Sequence, residues 1–117
     1  VDGAVGGTMP TETFDFNVGS LVPTGDGTIT ISNLAGDINS SPSEQWTIQV
    51  GAATVGVTDT SGQCTAPIAM APITVTLAEL QAALSGGIIT VSAVNGGSTQ
   101  DFCDQNSMDV TLSFPAS

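Results

Sequence analysis

Along most of the chain, hydrophobic and polar residues alternate one by one. Between residues 13 and 18 the apolar side chains are Phe14, Phe16 and Val18, and a polar residue separates each from the next. Because successive side chains of a β-strand point to opposite faces, this period predicts a strand with one buried face. Similar apolar patterns predict further strands at residues 28–31, 46–50, 53–57, 73–77, 88–94 and 108–114.

Turn-forming residues separate these predicted strands. Clusters rich in Gly, Asp, Asn and Pro lie at residues 23–27, 36–39, 86–87 and 95–97. Such residues accept positive φ angles or cap turns with their side chains. Short alternating strands at this spacing predict an all-β fold, an antiparallel β-sandwich of the jelly-roll-like type.

One segment departs from the alternation. Thr76 and Glu79 have the spacing of a helix capping box. The apolar residues that follow share one helical face: Leu80, Ala83 and Leu84. We therefore expect one short helix between two strands, with Gly86 as the residue that ends it.

Charge limits the possible functions more than any motif does. The 117 residues include 11 Asp and Glu but no Lys, Arg or His, so the formal net charge is −11. Binding to nucleic acid or to an anionic membrane surface needs cationic side chains, and both partners are therefore excluded. Without His, Lys or Tyr, few groups remain for acid–base or nucleophilic catalysis. We expect a protein that is not an enzyme.

Length and apolar content predict one folded domain. A hydrophobic fraction of 40% and a mean hydropathy of +0.30 supply enough material for a core. No run reaches the roughly 18 consecutive apolar residues of a membrane-spanning helix. We expect the domain to span residues 11–117 and residues 1–10 to form either an N-terminal arm or a linker between units. The residues of the arm expected to add a strand to a neighbouring copy are Val1, Asp2, Gly3, Ala4 and Val5.

The uncompensated charge predicts a setting that supplies salt or divalent cations, and hence an extracellular location. Asp37, Asn39 and Glu44 belong to one expected loop, and Asp101 and Asp104 belong to another. Oxygen ligands from two loops at one end of a sandwich are suited to Ca²⁺, and we expect calcium as a cofactor there. The alternative is that these residues are hydrated and only cap their turns.

Cys64 and Cys103 are the only cysteines. An even pair in a chain rich in Gly, Ser and Thr is typical of one disulfide in a secreted domain. The alternative is two unpaired buried thiols. A bridge would close a loop of about 40 residues, which the chain-entropy model values at roughly 4 kcal/mol. Both cysteines fall in expected loops after Trp46, so the immunoglobulin arrangement is not met, and the bridge would join two long loops at one end.

Trp46 separates two possible roles for the domain. It shares a strand face with Ile48 and Val50, which favours a position in the core. An exposed aromatic residue would instead provide a stacking surface for a sugar. The sequence therefore leaves a carbohydrate-binding or adhesive module, with calcium at the loops, as the alternative to a structural module.

Several segments together resemble a known kind of module. They are FDFNV at 14–18, GDGTITI at 25–31, the stretch 36–46 that begins GD and ends EQW, ITVTL at 73–77 and GIITV at 87–91. With a cysteine in each of two loops, this succession resembles the disulfide-stapled β-sandwich modules repeated in large secreted bacterial surface proteins. The resemblance implies a spacer, an adhesin unit or a filament subunit at the cell surface, and it implies no catalytic residue.

Overall fold

The computed structural model describes residues 11–35, 45–58, 68–95 and 107–117. These residues form seven strands and one helix. In chain order the elements are β1 (Glu12–Asn17), β2 (Gly27–Ala35), β3 (Trp46–Val50), β4 (Ala53–Val57), β5 (Ile73–Val75), α1 (Leu77–Ala83), β6 (Ile88–Asn95) and β7 (Ser107–Ser113).

The strands form two antiparallel sheets that pack face to face. The four-stranded sheet has the order β1-β6-β3-β4, and the three-stranded sheet has the order β5-β2-β7. The predicted all-β antiparallel sandwich with one short helix is therefore confirmed. Except at the β3–β4 hairpin, each connection between strands crosses from one sheet to the other, which makes the sandwich jelly-roll-like. Because β1 pairs with β6 and not with β2, the order also differs from that of an immunoglobulin domain.

The alternating pattern places the core between the sheets. Fully buried aliphatic residues of β2 and β3, such as Ile29, Ile31 and Ile48, face the interior, and Trp46 lies among them at 2% exposure. On β1 the register pairs Phe14 with Val91 and Phe16 with Ile89, which directs both rings inward. The core position predicted for Trp46 is confirmed.

Helix α1 covers one end of the sandwich, which we call the helix end. The predicted capping box is present, with Thr76 Oγ1 accepting from Glu79 N at 3.2 Å and Glu79 Oε1 accepting from Thr76 N at 2.9 Å. Leu80 is fully buried in the core. Asp26, the residue before β2, accepts from Leu77 N at 2.8 Å and so joins the start of the helix to the three-stranded sheet.

The helix ends differently from the prediction. Its last residue is Ala83, and the C-cap residue Leu84 is extended, with φ −65° and ψ 121°. Gly86 and Gly87 have φ angles of 58° and 78° and form the tight turn that leads into β6. Gly86 therefore shapes that turn rather than ending the helix, because only glycine adopts positive φ without strain.

The end of strand β2 also differs from the prediction. Strand β2 continues to Ala35, well beyond the predicted limit of residue 31, with an irregularity at Asn33, whose φ is 54°. A segment expected to be loop lies beside this extension, since Ile68 and Leu34 exchange two backbone hydrogen bonds of 2.9 Å. At β2, the three-stranded sheet therefore extends further along the strand direction than the predicted strand at residues 28–31 indicates.

Candidate functional site

The longest connections of the fold join the strands at one end, which we call the loop end. It lies opposite the helix end and is marked by Glu12, Ala35, Trp46, Asn95 and Ser107. Register pairs place these positions level with one another: Ala35 with Ser107 in one sheet, and Trp46 with Asn95 in the other. Residues 1–10, 36–44, 59–67 and 96–106 are all joined to the described strands at or near this end.

A buried polar contact holds the loop end of the four-stranded sheet. Thr58 is fully buried, and its Oγ1 accepts from Trp46 N at 2.9 Å. Thr58 N donates to Trp46 O at 2.9 Å, and Gln45 Nε2 donates to Thr58 O at 2.7 Å. These bonds fix where the chain enters β3 and where it leaves β4. They therefore fix the points at which residues 36–44 and 59–67 join the sheet.

Every site residue predicted from the sequence lies outside the described residues. The predicted calcium ligands are Asp37, Asn39, Glu44, Asp101 and Asp104, the predicted disulfide joins Cys64 and Cys103, and the predicted arm includes Val1, Asp2, Gly3, Ala4 and Val5. The calcium-binding, disulfide and assembly roles of these residues stay predictions. The described strand ends attach the segments that carry them to the same end of the fold, the loop end.

Several acidic residues of the described part have structural partners. Asp26 and Glu79 bind backbone N–H groups at the start of α1, and Asp15 Oδ1 accepts from the Thr90 hydroxyl at 2.7 Å on the neighbouring strand. Within the described ranges, no group of three or more His, Cys, Asp or Glu residues is placed to hold a metal ion. No pocket is present in that part of the chain either.

Sequence reasoning missed the roles of Asp26 and Thr58. Asp26 stands in a Gly-rich turn, where an acidic residue commonly caps its own turn, but its partner is 51 positions away in the chain. Thr58 directly follows an alternating strand, and threonine is common in turns, so its sequence position suggests an ordinary turn residue. No local pattern distinguishes either residue, because each meets its partner only through strand pairing within a sheet: β2 with β5 for Asp26, and β3 with β4 for Thr58.

Trp46 is not among the exposed apolar residues. In the described part, the most exposed large apolar side chains are Leu21 at 49%, Val22 at 48%, Val57 at 48% and Ile88 at 38%. Trp46 is too deeply buried to serve as a stacking surface for a sugar. The exposed aromatic side chain that would favour glycan binding is therefore not provided by Trp46.

The fold and the loop end define an all-β sandwich whose long connections are gathered at one end. No family model matches the chain, and no curated protein or solved structure shows significant similarity to it. The resemblance to repeated surface modules therefore stays an expectation from the sequence. Among the described residues, α1 is the only helix, and with seven residues it is too short to cross a membrane.

Proposed function

We propose that the chain is a non-enzymatic structural module of the extracellular space, a subunit or repeat of a surface filament or adhesin. Successive modules join through the N-terminal arm, residues 1–10, which adds a strand to the next copy. Calcium bound by the loop carboxylates reduces the repulsion between acidic units.

The observation that carries this proposal is the position of the two ends of the described fold. The chain enters β1 at Glu12, which is level with Ala93 near the loop end. It reaches Ser117 at the opposite end, where Ser117 N donates to Val22 O at 3.2 Å and Val22 N donates to Ser117 O at 3.1 Å. A module entered at one end and left at the other suits a linear, head-to-tail arrangement.

The charge of the surface supports the same function. A protein with 11 acidic residues and no basic ones repels further copies at low ionic strength unless salt, cations or specific contacts offset the repulsion. Backbone pairing at a strand edge needs no charged side chain and is therefore a suitable contact between such units. Our second candidate from the sequence, a carbohydrate-binding module, is not proposed because Trp46 is buried.

Negative-stain electron microscopy tests the proposal directly. We expect the purified chain, in buffer with 150 mM NaCl and calcium, to form fibres whose axial repeat equals the length of one domain. A variant that lacks residues 1–10 is expected to give single particles, with the emission of buried Trp46 as the check that it folds. Monodisperse particles from the intact chain at all concentrations, or unchanged fibres without the arm, would contradict the proposal.

A further inference from the structure

Among the described residues the two sheets differ in width, and no strand of these residues lies opposite β1. On one side of the sandwich β4 and β5 lie close together, and a Cβ placed on Gly56 would lie 3.3 Å from Ile73 Cδ1. Aligned sheets then place β3 opposite β2 and β6 opposite β7. The fourth strand of the wider sheet, β1, extends beyond β7, and within the described part its main neighbour is β6.

Hydrogen-bond directions show which edge of β7 is open. Met70 N donates to Ile31 O at 3.1 Å on the β5 side of β2. Since backbone groups of successive strand residues point to opposite sides, the groups of Thr30 point toward β7 and pair with Thr111.

The neighbours of Thr111 on β7 consequently point the other way. The backbone N–H and C=O groups of Val110 and Leu112 are directed away from β2. Within the part of the chain that the structure describes, no backbone group is hydrogen-bonded to this outer edge. An open edge of this kind is a template for another strand.

The surface beside this edge is apolar. Phe14 and Phe16 of β1 and Val110 and Leu112 of β7 pack against the core, but each remains only partly buried. We call these four residues and the outer edge of β7 the seam. A strand added to β7 would lie opposite β1, cover the four side chains and complete a second four-stranded sheet.

We propose that the seam is the acceptor for residues 1–10 of a second copy of this chain. This inference rests on the proposed function and names the surface that receives the arm. The odd positions of the arm are Val1, Gly3, Val5, Gly7 and Met9. In an extended strand these residues share one face, so three apolar side chains separated by glycines would face the rings of Phe14 and Phe16.

Length and charge agree with this occupant. Fully extended, the arm spans roughly 33 Å, against roughly 23 Å for the residues of β7, so it covers the whole seam. Its only charged side chain is Asp2, which lies on the face opposite Val1 and Val5. In a chain without cations, such a weakly charged segment approaches an acidic partner with little repulsion.

The geometry favours the arm of a second copy over the arm of the same chain. An arm in its own seam must cross the ~10 Å between the sheets before it enters β1 at Glu12. At ~3.3 Å per residue this crossing takes about three residues and withdraws Met9 from the seam. The arm of a neighbouring copy does not have to make this crossing, so Val1, Val5 and Met9 can all lie in the seam.

Complementary variants of the full chain test the inference. Val5→Asp damages the arm and leaves the seam intact, whereas Val110→Pro removes an outward N–H of β7 and leaves the arm intact. We expect the unmodified chain to form multimers and each variant to be monomeric by light scattering after size-exclusion chromatography. An equimolar mixture of the two variants should give 1:1 dimers and nothing longer, since one arm and one seam remain per pair.

A matched control uses the other open edge. The N–H of Thr13 points away from β6, because Val18 N, an odd number of positions along, donates to Gly87 O at 2.8 Å. Thr13→Pro therefore changes an edge without touching the seam and should leave the multimers unchanged. Trp46 emission reports whether each variant is folded.

Hydrogen exchange of the unmodified chain gives a second measurement that does not depend on variants. On assembly we expect exchange at the amides of Val110 and Leu112 to slow at least tenfold, and exchange at Thr13 and Asp15 to stay unchanged. If multimers persist in Val110→Pro, or if assembly slows hydrogen exchange equally at both edges, the seam is not the acceptor of the arm. The proposed function would still stand. A mixture of variants that stays monomeric while the unmodified chain assembles also overturns the seam as the acceptor. A monomeric unmodified chain would overturn both proposals.

Discussion

At the scale of single residues, buried polar contacts fix the positions at which the chain enters and leaves the sheets. Thr58 is the only fully buried polar residue of the described part, and its hydroxyl satisfies the N–H of the equally buried Trp46. A buried donor without a partner costs more than the bond itself contributes, because the donor loses its hydration. We therefore expect the contact between Thr58 and Trp46 to matter for stability.

Thr58→Val tests this contact. Valine has nearly the shape of threonine but no acceptor, so the N–H of Trp46 is left unsatisfied. We expect the free energy of unfolding to fall by about 1–3 kcal/mol, measured by urea denaturation with Trp46 emission as the probe. Thr58→Ser keeps the hydroxyl and is the control. A loss in Thr58→Ser as large as that in Thr58→Val would mean that the methyl group, and not the hydrogen bond, is important.

At the scale of elements, α1 depends on contacts at its first turn. The helix has seven residues, which is too short for stability on its own. Thr76, Glu79 and Asp26 satisfy backbone N–H groups at its start, and Leu80 anchors it in the core. The capping box was predictable because its two members are close in sequence, whereas the role of Asp26 was not, because Asp26 meets the start of α1 only through the pairing of β2 with β5.

Thr76→Ala removes the cap while leaving the core residue Leu80 unchanged. We expect the free energy of unfolding to fall by about 1 kcal/mol, since the cap hydroxyl no longer satisfies the N–H of Glu79. Urea denaturation measures this change, and Thr76→Ser, which keeps the hydroxyl, should stay close to the unmodified chain. Equal losses in both variants would show that the cap contributes little.

At the scale of the whole molecule, we expect electrostatic repulsion and the predicted disulfide to affect the free energy of unfolding. The net charge of −11 is not offset by any basic side chain. Screening by salt weakens repulsion between exposed charges, because the Debye length falls from about 30 Å at 0.01 M to about 10 Å at 0.1 M ionic strength. Stability should therefore depend on the solution more strongly than in a protein of balanced charge.

Salt and calcium should raise the thermal midpoint to different extents. Sodium chloride acts only by screening, so calcium chloride at equal ionic strength should raise the midpoint further if the loop carboxylates bind the ion. The variant Asp101→Asn/Asp104→Asn should lose the additional increase. Asp15→Asn removes one charge away from the loops and should retain most of it. Equal midpoints in the two salts would contradict the calcium site.

Reduction tests the predicted pairing of Cys64 and Cys103. If the bridge is present, dithiothreitol should lower the free energy of unfolding by roughly 4 kcal/mol, the chain-entropy value for a closed loop of about 40 residues. The double variant Cys64→Ser/Cys103→Ser should resemble the reduced protein and no longer respond to the reductant. Two thiols that react with maleimide in the unfolded, unreduced protein would show instead that no bridge forms.

The sequence by itself determined the elements whose signals are local. Alternation indicated where the strands lie and, in strands such as β1, which face is buried, as in the inward rings of Phe14 and Phe16; the spacing of Thr76 and Glu79 specified the start of the helix. The complete absence of basic residues limits the possible partners, because binding to a polyanion needs cationic side chains. The predicted ligands and cysteines depend on composition alone and lie outside the described residues.

Only the tertiary structure decided which strands pair and what their edges expose. The pairing of β1 with β6 and the link from Asp26 to Leu77 join residues far apart in the chain, and no strand of the described residues lies opposite β1. Alternation states which face of a strand is buried but carries no information about its neighbour or about the width of the opposite sheet. Among the described residues the seam follows from four strands packed against three, and that difference is set by which strands pair in the folded chain.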